Sequence, residues 1–226
     1  GFGREIQKKA QAEPGRVPVR GSDGAIVVGP DGQPVLTAAD VSPRWVGRGW
    51  TVFNNKGKPV RQFEPFFTDT HRFERDVRIG VSAVLCYDPS ERVVATLRPN
   101  HTWEKMAFGP WRQEQWDASD TVLTDPTLDD TASPFFKRLP DATYRPSWFA
   151  QRSGGGLGAD EQDAATKTAL HAGTPTVLHA DALGRAFLTD QHNRFERNAI
   201  IVDEHYITRV EYDVEGNQRE VTDADD

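Results

Sequence analysis

The sequence predicts a mainly β fold, with antiparallel β-hairpins laid side by side in one curved sheet and a small helical insertion. Three observations carry that prediction. A turn of the form Asp or Asn, two variable residues, Gly and then usually a basic residue recurs along the chain, each time before a β-prone run. Hydrophobic residues make up only 37% of the 226, while Gly and Pro number 19 and 15, which suits many short strands better than one compact core. Helical signals are confined to residues 117–180.

The turn is justified by local chemistry. Its clearest form is Tyr87-Asp88-Pro89-Ser90-Glu91, which leads into Val93-Val94-Ala95-Thr96-Leu97. Related stretches begin at Asn54 (Gly57 in fourth place), at Asp181 (Gly184) and at Tyr212-Asp213 (Gly216). An Asp or Asn side chain can accept backbone N–H groups two residues on. Gly in fourth place tolerates the positive φ that three- and four-residue hairpin loops need. Glu91 stands where Gly is expected, so that turn must change its backbone conformation or accept strain. An aromatic before the Asp or Asn (Phe53, Tyr87, Tyr212) suits cross-strand packing. A lone hairpin cannot bury its own apolar face, so each unit needs neighbours. The intervals from Asn54 to Asp88 and from Asp181 to Asp213 fall within the roughly 20–50-residue periods of stacked architectures.

In chain order, Gly1-Phe2-Gly3-Arg4 reads as the same turn without its first residue, which implies a protein that begins further upstream, and Ile6–Ala12 follows as a strand. Residues 13–43, rich in Gly, Pro and Asp, read as an exposed excursion with at most one small hairpin. Arg44–Phe53 reads as one strand running into the Asn54 turn, and Pro65–Phe73 as an aromatic loop whose Phe63, Phe66, Phe67 and Phe73 plug the core. Val77–Tyr87 reads as a strand with Gly80 as a bulge, Thr102–Phe108 as another strand, and Phe108-Gly109-Pro110-Trp111 as a degenerate turn. In the insertion, Ser133-Pro134 suggests a cap and first helical position, and Asp160–Ala172 a helix stopped by Gly173 and Pro175. Thr176–Leu178 returns to strand, and Asn198–Tyr212 forms the last hairpin, with Tyr206, Thr208, Val210 and Tyr212 on one face.

The chemistry-bearing residues point to no reaction. A net charge of −7 argues against a basic nucleic-acid surface. The single cysteine, Cys86, rules out an internal disulfide framework and reads as a small hydrophobe in a strand. No run approaches the roughly 18 apolar residues of a membrane span. Gly154–Gly158 lacks the Lys-Ser/Thr ending of a phosphate loop and reads as the approach to the helix that follows. His71, His101, His171, His179, His192 and His205 show no short metal-ligand spacing, so no metal site, cofactor or catalytic residue is expected. Asp129-Asp130 and Asp223–Asp226 read as solvated charge, with nothing to position a carboxylate pair. Six tryptophans invite a glycan-binding surface or a glycan-processing groove, but sheet packing explains them as well.

The Tyr87-Asp88 and Tyr212-Asp213 turns resemble the YD repeat of RHS proteins. Together with Gly49–Phe67, Glu91–His101 and Glu215–Val221, they make nearly the whole chain similar to the B component of insecticidal toxin complexes (Tc toxins). The resemblance implies a secreted toxin and a slice of a hollow β-shell, one segment over residues 1–226. It implies a shell completed by a C component, an RHS protein with a toxic C-terminal tail, enclosing an unfolded polypeptide cargo. It further implies contact with the pore-forming A component through other parts of the protein, and no direct membrane insertion. No match to the C component's self-cleaving aspartate site is present. The competing reading is a cell-surface adhesion or glycan-binding YD-repeat module.

Overall fold

The computed structural model describes residues 5, 7–22, 24–30, 33–75 and 77–224. The expected turn at residues 1–4 lies outside them, as does Ile6. The chain divides into two compact units, Gly1–Ala83 and Val84–Asp226. Its fold is mainly β, and every strand pair is antiparallel.

In the first unit, β1 (Lys9–Ala12), β2 (Arg44–Gly47) and β5 (Phe66–Thr68) form a three-stranded sheet in the order β1-β2-β5, and β3 (Thr51–Phe53) pairs with β4 (Pro59–Gln62). The single strand expected over Arg44–Phe53 is therefore two, in different sheets. The chain crosses between them at Arg48-Gly49, where a Cβ on Gly49 would lie 1.8 Å from the Phe63 carbonyl oxygen, so only glycine fits. Two of the four expected core phenylalanines are exposed. Phe66 is buried, but Phe67 and Phe73 face solvent, because alternation along β5 sends Phe66 and Thr68 inward and Phe67 outward under the Arg44 guanidinium. Residues 13–43 are more ordered than an excursion. The N–H groups of Val19, Val27 and Val35 donate to the carbonyls of Val35, Val19 and Val27 in turn, at 2.7–2.9 Å, so three short segments close on one another.

The second unit is one eight-stranded meander with an insertion. Its strands are β6 (Val84–Tyr87), β7 (Val93–Leu97), β8 (Trp103–Phe108), β9 (Arg112–Trp116), β10 (Thr176–Ala180), β11 (Ala186–Arg197), β12 (Ile200–Tyr212) and β13 (Gln218–Thr222), each hydrogen-bonded to the next. The strand expected over Val77–Tyr87 is only its last four residues; Gly80 sits at φ 71° ahead of it. β11 is much longer than expected. Its hairpin with β12 turns at Asn198-Ala199, both at positive φ (54° and 59°), so Asn198 closes the hairpin and does not begin one.

Between β9 and β10, which pair directly from Thr176↔Gln115, residues 117–175 carry α1 (Ser133–Phe136), a 3₁₀ turn (Asp141–Thr143), α2 (Trp148–Ser153) and α3 (Ala159–Leu170). Ser133 does not cap α1; it is already inside the helix. Ala132 is the N-cap and no side chain caps the helix; Asp129 instead braces the turn ahead of it, its Oδ1 accepting the N–H groups of Thr131 and Ala132 at 2.9 Å. The insertion folds onto the sheet around fully buried Phe136, whose ring meets Trp103 of β8 and Tyr144 edge-on at 5.5 and 5.4 Å. Lys105 of β8 reaches Asp129 at 2.5 Å. Cys86 is buried in β6, and burial pushes its thiol up to about 11.

Candidate functional site

The recurring turn has the same geometry at each occurrence. Asn54 Oδ1 accepts the N–H groups of Lys56 and Lys58 at 3.0 and 2.9 Å, Asp181 those of Leu183 and Arg185 at 2.9 and 3.0 Å, and Asp213 those of Glu215 and Asn217 at 2.9 Å. Asp88 Oδ1 accepts Arg92 N–H at 2.9 Å. In the backbone, the first residue's N–H donates to the fifth residue's carbonyl, and the fourth's N–H returns to the first's carbonyl, all at 2.9–3.1 Å. Gly57, Gly184 and Gly216 take φ of 78°, 76° and 92° in fourth place. Glu91 takes φ 67° in the same place, so its turn keeps the conformation and accepts the strain. Pro99-Asn100, which the sequence marks as a turn, lies in Arg98–Thr102, a further copy of the backbone bonds with His101 at φ 65°; Gly21–Ala25 repeats them with Gly24 at φ 79°.

Because alternate connections of a meander lie at the same end, the turns after β6, β8, β10 and β12 share one end of the sheet. There they clasp one another. Arg92 closes on Asp88 (2.6 Å) and lies over the Phe108 ring at 4.0 Å, at the start of the next turn on that end. Arg185 closes on Asp181 (2.7 Å) and lies over Tyr212 at 4.6 Å, while the Tyr212 hydroxyl donates to the Ala186 carbonyl at 2.8 Å. The aromatic at the start of a turn, Phe108 or Tyr212, thus grips the preceding hairpin at the same end. The same bonds favour the charged carboxylates. The N–H of Arg92 holds Asp88 below the usual range, the Arg185 side chain does so for Asp181, and the Asn217 side-chain amide does so for Asp213. Tyr87 ends β6 and is half-buried.

The opposite end is closed in three different ways: by the Arg98–Thr102 turn, by the insertion and by the Asn198-Ala199 turn. Asp120 shuts the base of the insertion. Its Oδ1 accepts the Thr174 N–H and hydroxyl at 3.1 and 2.9 Å, and its Oδ2 accepts Asp117 N–H at 2.7 Å. Burial raises its pKa despite those bonds. Of the six tryptophans, Trp103 is buried as sheet packing requires, and Trp111 is largely exposed.

Two of the histidines that show no short spacing in the sequence are brought together by the fold. His192 and His205 are cross-strand partners in β11 and β12, and their rings stack at 4.3 Å and 10°. His192 Nε2 contacts Asp203 Oδ1, and His205 Nδ1 contacts Asp190 Oδ1 at 2.9 Å. The signal that would have found the pair was the Asn198-Ala199 turn. Once the hairpin is centred there, residues 192 and 205 must face each other.

The class defined here is a stacked-hairpin β-protein fastened by Asx-type turns. No protein-family model and no curated protein matches the chain. Solved structures do. Over 99% of its length the chain superposes on the crystal structure of TcdB2-TccC3 with a TM-score of 0.66 and 22% identity. It superposes equally on that complex without its hypervariable C-terminal region (TM-score 0.65, 22%) and on the Photorhabdus luminescens Tc holotoxin pore (0.63, 22%). The fold is therefore a Tc-toxin-related one. The chain spans 8% of the length of the solved chains it matches.

Proposed function

We propose that this chain is a length of wall in the β-shell of a secreted toxin complex, and that the shell encloses a toxic polypeptide before delivery. The observation that carries the reading is β10–β13. Those strands are paired along their length and fastened at their turns, yet none of their described side chains is buried. Leu183, Ile200, Ile201 and Val214 are all largely exposed. A sheet fastened at its turns, with no side chain fully buried on either face, is what a wall between a lumen and an exterior requires. Confinement is set by geometry and needs no catalytic group, so the chain acts without turnover. Its partners are an RHS-type C component that completes the shell, the enclosed cargo and, through other parts of the protein, a pore-forming A component. The likeness of fold to Tc assemblies supports the reading.

The test is a toxin complex reconstituted with this protein and scored separately for shell assembly and for delivery. Gly184→Val and Gly216→Val should impair assembly. A conservative Asp or Glu change outside the turns that abolished delivery while the shell still assembled would replace the structural role with a chemical one.

A further inference from the structure

The structure assigns a site for a divalent transition-metal ion to His192, Asp203 and His205, on the ribbon that the β11–β12 hairpin extends beyond the sheet. This inference stands independently of the shell reading. β10 pairs with β11 only as far as Gln191, and β13 pairs with β12 only from Arg209 on. The His192↔His205 pair is therefore the first rung held by two strands alone, and such a ribbon is marginal in water. The ligand atoms offered by His192, Asp203 and His205 already lie within 4.8 Å of one another. Two imidazoles and one carboxylate suit zinc and its first-row neighbours, not magnesium or calcium, which take oxygen ligands.

Imidazole lone pairs lie in the ring plane, so the two rings, stacked to within 10°, must splay for both to reach one ion, while the groups behind them are already those a metal-binding histidine needs. Asp190 holds the Nδ1 edge of His205 at 2.9 Å, which leaves Nε2 as that ring's free lone pair. Arg194 Nε donates to Asp203 Oδ2 at 3.1 Å, so the carboxylate is oriented through one oxygen while Oδ1 faces His192. Arg194 also donates to the Ala172 carbonyl at 3.2 Å, anchoring the ribbon next to the end of α3. The ion would take the place of the direct His192–Asp203 contact and clip the two strands together. Asp190 and Arg194 are positioning residues.

The experiment is competitive titration of the purified chain with zinc against a chromophoric chelator, with magnesium as the comparison ion and circular dichroism to verify strand content. The expected result is one zinc per chain and no competition from magnesium. His192→Gln and His205→Gln should each weaken zinc binding by about tenfold or more, as should Asp190→Asn, which keeps the ligands but removes the charge behind His205. His171→Gln, outside the ribbon, should bind as the parent does. Failure of the parent chain to bind zinc, or full binding retained by the folded His192→Gln and His205→Gln variants, would overturn the site and leave the two His–Asp contacts as ribbon pairing alone.

Discussion

The strands β6–β9 and β10–β13 share one sheet and the same turn chemistry, but they differ in what lies against them. The first four carry the insertion on their face and contribute buried Val84, Cys86, Val94, Ala95, Leu97 and Trp103; the last four contribute no buried side chain. Hairpin formation here therefore does not depend on a core. The Asx turn and its positive-φ residue specify the β6–β7, β10–β11 and β12–β13 hairpins locally, an arginine clasp is added in the first two, and buried side chains are found in the half of the sheet that carries the insertion.

The largest effect that would sharpen this contrast lies in the insertion. Phe136→Ala removes the fully buried ring between Trp103 and Tyr144, at a cost of about 3–5 kcal/mol. Tryptophan fluorescence should report early loss of the Trp103 environment in denaturant, with β10–β13 strand signal by hydrogen exchange little changed. Simultaneous loss of protection across the sheet would show the two halves to be one cooperative body.

Asp120→Ala should cost about 1–3 kcal/mol by stripping acceptors from Thr174 and Asp117. It should also change the pH profile. Asp120 has a raised folded pKa, so its contribution is present at low pH and lost as pH rises through that value. The turn aspartates have lowered pKa values, so their contribution is present above about pH 4 and lost as pH falls through the folded values. Asp181→Asn should therefore flatten the acid limb of stability, and Asp120→Ala the limb above it, as read from denaturation midpoints across pH.

Gly184→Val tests the other half. A Cβ there meets open space, so the expected cost of about 1–2 kcal/mol is conformational alone. A neutral outcome would mean that the turn does not govern the hairpin. The smallest and opposite effect is Glu91→Gly, which relieves the same strain and should raise the denaturation midpoint by up to about 1 kcal/mol in stability.

What could be read from the sequence follows the range of the interactions. The turns at Asn54, Asp88, Asp181 and Asp213 were legible because donor, acceptor and the φ requirement all lie within five residues. The helix near Asp160 was legible from its Ala-rich run and the Gly and Pro behind it. The reach of β11 was not, because Asn198-Ala199 turns without glycine, and with that centre hidden His192 and His205 could not be seen as partners. Nor could Asp120 be assigned, since its role depends on Thr174, which reaches it only through the fold. The division of Arg44–Phe53 escaped for the same reason, being imposed by the Phe63 carbonyl over Gly49.

The arginine clasp also bears on the order of biosynthesis. Phe108 lies C-terminal to the Asp88–Arg92 turn that it covers, and Tyr212 lies C-terminal to Asp181–Arg185. During translation each of these hairpins leaves the ribosome before the ring that fastens it. A chain that ends at Glu211 lacks both the ring over Arg185 and the hydroxyl that donates to the Ala186 carbonyl. The sheet is thus tightened from its C-terminal side, each clasp reaching back two connections to the preceding turn at the same end.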